Sequence, residues 1–331
     1  MELCDLDKLK IILDTKTELE LLKLSVKARE SLFNLDKSIY KSGIKNQYYK
    51  MATYNGTINA GKLSGLKVDL RSFLEGRLKK HCSASVEKTI NYNIALTAGK
   101  KYSCDKIDSR ILDILESKIS LGSVKNENIL NLEKDVKTAI IELEEFVNKN
   151  KIANLDSLVK AAVIYAKFHI LNPYGTDTDN IGNILLSLYV GKAGMVDNGF
   201  FISEEFEDDF YNYYSLLDQV KDNDNWEPWI RFFLNCIIKQ CQRSEKKVRE
   251  IVKLYKEMIK FAEENKILKE YVDYIIANPV FTNRLISEDV GISMSTASKV
   301  NFFMAEHKKI IIGGCPNSKV FYLDEVLRIM E

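Results

Sequence analysis

Only four prolines and 15 glycines interrupt a chain of 331 residues. Neither residue is tolerated well inside helices, so their scarcity points to a mostly α-helical protein. Three histidines, at positions 81, 169 and 307, are too scattered to complete a ligand set. Cys236 and Cys241 stand five apart on a helical stretch, a spacing that does not suit a zinc knuckle, so no metal site is expected. No apolar run approaches the ~20 residues of a membrane helix, and the opening MELCDLDKLK is not a signal segment. The six cysteines are then expected as reduced thiols of a cytoplasmic protein with no membrane partner. Charge of one sign is missing too: 48 Lys+Arg against 47 Asp+Glu leave a net +1. That balance excludes a domain that coats nucleic acid by bulk electrostatics and leaves room for a local basic patch.

A hydrophobic content of 46% supports ordinary globular cores, and the length calls for two or three of them. Residues 1–50 read as helix. The segment 51–66, with three glycines, reads as containing a turn. The centre is the most apolar part. Leu155, Leu158, Val159, Ala162, Val163 and Ala166 share one helical face, and Ile181, Ile184, Leu185 and Leu188 share another. A polar loop, Asn172 to Asp179, joins these two buried helices and is where a site is expected. From Pro228 to Pro279 no proline or glycine intervenes, so a long helix or a helical pair links the centre to the C-terminus. Its stretch 231–270 holds 11 Lys+Arg against six Glu, which reads either as a solvated face or as a flank for phosphate contacts.

Residues 269–331 read as a small module. Thr282 caps a helix, Gly291-Ile292-Ser293 turns, a helix follows from Ser295, and Ile310–Ile312 and Val320–Leu323 form strands about a tight loop. Helix–turn–helix followed by a β-hairpin is the winged-helix pattern. Ser295, Thr296, Ser298 and Lys299 on the second helix, and Lys319 beside Pro316-Asn317, are the candidate contacts to duplex DNA. Residues 282–331 hold six basic and six acidic side chains, so the module needs a homodimer or the basic helix before it to bind firmly.

The stretch FHILNPYGTDTDNIGNILLSLYVGKAGMVD resembles the Fic (Fido) family of AMP-transferases, whose signature is H-P-F-x-[DE]-G-N-G-R-x-x-R between two buried helices. Trp226 to Leu234 is similar to the family's downstream W-x-x-W-x-x-F-F-L run. Asn91-Tyr92 with Ala95-Leu96 resembles its N-Y-x-x-A-L helix, and Asn278 to Thr282 resembles the opening of its terminal winged helix. The resemblance covers most of the chain. It implies a Fic-type helical fold: an N-terminal helical region (1–104), a core (105–235), linking helices (236–268) and a winged helix-turn-helix (269–331).

The same resemblance implies that the chemistry is gone. Asn172 stands where the family has its general base, and an amide cannot exchange a proton near neutral pH. Thr176 replaces the acidic Mg²⁺ ligand, and Asp177-Thr178-Asp179 replaces the glycine-lined anion hole. Asn180 and Asn183 replace both phosphate-clamping arginines. Asn55, within Thr53 to Thr57, takes the position of the glutamate of a self-inhibitory helix; read on its own, Asn55-Gly56 is a turn signal. The flap before the motif, 119–131, looks trimmed. His169 is expected to point elsewhere on its helix turn, as a hydrogen-bonded histidine and not a substitute base. Asp177 and Asp179 are expected to cap the following helix; a calcium loop there is rejected for want of ligands at Ile181 and Leu188.

The expected function is that of a pseudoenzyme with a degenerate site, acting as a regulatory DNA- or protein-binding factor. No cofactor is expected; ATP and Mg²⁺ would matter only if the site were active. The competing expectation is an enzyme of altered chemistry that moves a nucleotidyl group onto protein hydroxyls. It requires a base and phosphate ligands that the sequence does not supply.

Overall fold

The computed structural model describes residues 15–79, 81–102, 108–119, 156–192, 200–315 and 318–331, together with 138, 140, 141 and 143–145. The trimmed flap, the helical reading of residues 1–14 and the Pro316-Asn317 loop lie outside the described residues. Helices dominate. They are α1 (Thr15–Lys41), α2 (Lys45–Leu63), α3 (Leu70–Leu78), α4 (Ala84–Tyr102), α5 (Ser109–Ile119), α6 (Ser157–Leu171), α7 (Thr178–Lys192), α8 (Ser203–Asp208), α9 (Phe210–Asn223) and α10 (Trp226–Glu264). None of them is long and apolar enough to cross a membrane.

Within residues 15–50, read as helix, the chain forms parts of two helices. Gly43, at φ +74, breaks the chain between α1 and α2, a conformation that costs glycine little. The expected turn at Asn55-Gly56 is not there: both residues lie inside α2, and the chain turns at Ser64-Gly65 instead. The glycine at 56 answers a packing demand. A β-carbon there would stand 2.3 Å from the ring of Phe201 and 2.7 Å from its own β-carbon.

Two apolar clusters form the interior. The smaller lies between α4, α5, α6 and α7, around Tyr92, Leu96, Leu115, Phe168, Ile181 and Leu188. The larger joins α1, α2, α6, α9 and α10 and runs without interruption into the C-terminal module. α10 is one helix of 39 residues, unbroken across position 235/236. Its first turns bury Trp226, Trp229, Ile230 and Phe233, and the Trp229 indole donates to the Ala162 carbonyl at 2.9 Å. That bond satisfies the polar end of a large buried ring.

The C-terminal module has α11 (Lys269–Ala277), β1 (Val280–Phe281), α12 (Asn283–Val290), α13 (Met294–Glu306), β2 (Ile311–Cys315), β3 (Ser318–Tyr322) and α14 (Asp324–Met330). The strands form an antiparallel sheet in the order β1-β3-β2, with Phe281 opposite Phe321 and Ile312 opposite Phe321 on the other side. Thr282 caps α12 by accepting from the Leu285 amide, as the sequence indicated. Ser293 caps α13. Gly313 to Cys315, read as loop, belong to β2, and Gly313 leaves room for the ring of Tyr322.

The module is fastened to the rest. Lys247 donates to the Met330 carbonyl at 2.7 Å and to Glu204 at 2.8 Å. Tyr322 donates to Glu75 at 3.0 Å, and Tyr255 to Asp273 at 2.6 Å. Replacing Gly56 by alanine should force Phe201 off its seat and lower stability by about 1–3 kcal/mol, read by urea denaturation. An unchanged midpoint would mean that the α2–Phe201 contact is looser than described.

Candidate functional site

The polar loop between α6 and α7 is held by its own sequence. Asn172 ends α6 in the left-handed conformation (φ 44, ψ 51), and its amide donates to the Phe168 and His169 carbonyls at 3.2 and 3.1 Å. Asparagine is among the few non-glycine residues that tolerate this geometry, so the residue at the base position has a local capping task. Gly175, at φ +55, opens a short 3₁₀ turn through Asp177. The Tyr174 amide donates to the Thr178 hydroxyl at 3.1 Å, which draws the loop over the start of α7. Pro173 is buried beneath it; Asn172 and Thr176 are exposed.

Neither aspartate acts as the expected helix cap; both carboxylates reach across to other helices. Asp177 accepts from the Tyr92 hydroxyl at 2.7 Å and pairs with Lys88 at 2.7 Å, which ties the loop to α4. Asp179 faces inward. Its carboxylate accepts from His169 Nδ1 at 3.0 Å, from Tyr214 at 2.9 Å and from Tyr213 at 3.3 Å. Burial would raise its pKa, but the bond and charge of His169 and the two hydroxyls outweigh it and hold the carboxyl below the ordinary aspartate range.

His169 does not point elsewhere, as the sequence suggested. Its side chain is 6% exposed and lies within the motif. The correction has a geometric cause at Gly182, where a β-carbon would come within 2.7 Å of His169 Nε2. The glycine lets α7 approach α6 closely enough to seat the imidazole between them. Nδ1 is engaged by Asp179, and Nε2 is buried against Gly182 without a hydrogen-bond partner. In this arrangement His169 acts as a structural partner of Asp179.

A polar chain continues behind this pair. Tyr213 and Tyr165 hydroxyls meet at 3.1 Å, and Asn183 donates to Tyr165 at 3.1 Å and to the Asp179 carbonyl at 2.8 Å. Asn180 donates to Ser64 at the end of α2 at 2.6 Å. Both residues at the clamp positions are thus fully buried and engaged with the scaffold. The acceptor atoms of Asn180 and Asn183 remain unpaired in the interior, as does His169 Nε2. Burial pushes the Tyr165 and Tyr213 hydroxyls far up, so both remain neutral donors. Asn55 lines a different cavity, among Phe200, Glu204, Gln240 and Lys247, while Asn183 turns to Tyr165.

In front of the loop lies a cleft of about 260 Å³, walled by His169, Asn172, Thr178, Asp179, Tyr214, Asp218 and Lys221. These residues do not fit a magnesium nucleotide. The carboxylate of Asp179 stands at the helix start where phosphate oxygens would need open backbone amides, and Asp218 adds a second negative group. The oxygens of Asp179 are taken up by the imidazole and two phenols, and Thr176 offers no carboxylate to a hard cation. Sequence reading singled out the two aspartates but missed Tyr213 and Tyr214. The adjacent tyrosines in YNYYS of α9 were the available signal.

The carboxylate network gives a quantitative contrast with capping. Asp179→Ala should destabilise by about 3–5 kcal/mol at neutral pH, because it leaves three donors, His169 Nδ1 and the Tyr213 and Tyr214 hydroxyls, without their acceptor. A mere cap is worth about 0.5–2 kcal/mol. The depressed carboxyl stabilises fully above the unfolded value near ~3.9 and loses that contribution as pH falls through the lower folded value. The gap between wild type and Asp179→Ala should therefore narrow in acid, as measured by denaturant melts at several pH values; a loss within the capping range and flat with pH would contradict the network.

No family model and no curated protein matches the sequence. Solved structures match in fold. A Fic domain containing signaling protein from Bacteroides thetaiotaomicron VPI-5482 superposes with a TM-score of 0.54 at 13% identity, over 67% of this chain and 97% of that one. A Fic family protein from Desulfovibrio desulfuricans G20 matches with a TM-score of 0.48 at 12% identity, over 88% of this chain and 95% of that one. The chain has the Fic fold: mostly helical, with a small three-stranded sheet at its C-terminal end.

Proposed function

We propose that this Fic-fold protein does not transfer AMP and works in a reducing cytoplasm as a regulatory DNA-binding factor through its winged helix. The observation that carries the first half is Asp179 at the start of α7, locked by His169, Tyr213 and Tyr214. A polyphosphate would have to displace or neutralise that carboxylate before it reached any backbone amide. The positions that would clamp it, Asn180 and Asn183, are buried and bonded to Ser64 and Tyr165. Since base, metal ligand and clamp act as a unit in such chemistry, the absence of each supports a binding role.

The second half rests on α13. Ser295, Thr296 and Lys299 are exposed along its first turns, while Ala297, Asn301 and Met304 anchor the helix beneath. Asn301 accepts from the Tyr271 hydroxyl at 2.6 Å and donates to Asn283 at 2.6 Å, which fixes the helix against α11 and α12. An outward face of short polar side chains and one lysine, held rigidly from behind, suits insertion into a major groove. Ser298 is half-buried and Lys319 lies over the Phe302 ring at 4.2 Å, so these two serve more as frame than as first contacts.

The test is selection from fragmented genomic DNA by the full chain. Wild type should enrich particular fragments, and Lys299→Glu should lose that enrichment while keeping its melting temperature. Equal recovery of all fragments by wild type would overturn the DNA-regulator reading in favour of a winged helix that contacts protein.

A further inference from the structure

α10 carries a regular exposed row of six cations and one glutamine, engaged only in part by the described residues. Lys239, Gln242, Lys246, Arg249, Lys253, Lys256 and Lys260 recur at spacings of three and four, so they share one face, and all seven are exposed. The opposite face is buried with Cys236, Val248, Ile251, Leu254 and Met258. Carboxylates reach only part of the row: Glu245 lies 3.7 Å from Arg249 and Glu250 4.0 Å from Lys246. Lys239, Lys253, Lys256 and Lys260 make no ion pair with a described residue. From Lys246 onward each cation has another as its neighbour one turn away, an arrangement that repels itself along the helix.

The row leads to the winged helix. Phe261, next after Lys260, stacks on Phe303 of α13 at 6.0 Å and meets His307 at 5.5 Å. Lys309 lies over the same Phe261 ring at 5.1 Å. Lys299 stands one turn before Phe303 on α13 and is exposed. From Lys239 to Lys260 the row rises 21 steps, about 31 Å at ~1.5 Å per residue, close to one turn of duplex DNA at ~34 Å.

We infer that this face of α10 is a binding site for the phosphate backbone of duplex DNA, laid beside the groove contacts of α13. The inference rests on the DNA-binding reading above and adds the element that supplies affinity. A winged helix with no net charge of its own gains little from counterion release; a row of six cations next to it gains much. An anionic membrane is the weaker partner, because interfacial helices need large apolar side chains beside their cations. None of the exposed large apolar side chains lies on this row; the apolar residues of α10 face the core.

The experiment is fluorescence anisotropy of the full chain on a ~30-base-pair duplex of mixed sequence, across a salt series, with anionic phosphatidylserine vesicles in parallel. Six phosphate contacts give a slope of log K against log salt of about −5. The quadruple Lys→Gln variant at 246, 253, 256 and 260 keeps good helix formers on an exposed face, and circular dichroism checks its melting. It should flatten the slope to about −2 and weaken binding at ~0.1 M salt at least a hundredfold. Lys299→Glu should alter the slope by no more than about 1. If the quadruple variant binds as wild type does while Lys299→Glu still loses fragment enrichment, the inference is overturned and the DNA-regulator reading stands. If wild type binds the mixed duplex through the row but enriches no fragment, the inference holds and that reading falls. Binding to vesicles and not to duplex would overturn both.

Discussion

The carboxylate of Asp179, held between α6, α7 and α9, is the interaction on which the centre of the molecule depends. Charge in an interior is tolerated only with partners, and this one has three: an imidazole and two phenols. Each partner in turn fixes a helix. His169 brings in α6, Gly182 lets α7 close upon it, and Tyr213 and Tyr214 bring in α9. Tyr165 extends the chain of bonds into the aromatic core around Phe206, Trp229 and Phe233. Removing this carboxylate would leave His169 Nδ1 and two phenol hydroxyls without their acceptor.

The loop stands between two buried helices, with the start of the second beside a cleft. Here that helix start is spent on internal bonds, and the cleft before it is lined by Asp179 and Asp218 against a single lysine, Lys221. Asn172 and the two asparagines at 180 and 183 are consistent with this: one ends a helix, the others bridge helices. The side-chain amides of Asn180 and Asn183 donate within the scaffold, while their acceptor atoms stay buried without a partner. At the other end of the molecule, α10 and α13 meet through Phe261 and Phe303.

Much of the fold was legible because it follows from periodicity. The two central helices, the long helix after Pro228 and the cap at Thr282 all announced themselves through spacing and residue type. The wing was legible in outline, although Gly313 and Gly314 read as loop and lie in β2; the reason for Gly313, the Tyr322 ring, is tertiary. Asn55-Gly56 misled for the same cause. A local turn signal was overridden by Phe201, far away in sequence, which needs a residue without a β-carbon. The site was half legible. Its loop and both aspartates stood out, yet their partners His169, Tyr92, Tyr213 and Tyr214 come from three helices, and no local rule pairs them. Helix capping was the nearest explanation that local rules could offer for an aspartate beside a helix start.

The central claim is that the start of α7 is closed to phosphate. Isothermal titration calorimetry of the full chain with magnesium ATP measures it directly. The account expects no heat of binding up to millimolar nucleotide. Saturable micromolar binding, lost on substitution within residues 172–183, would contradict it and return the protein to the class of nucleotide-using enzymes.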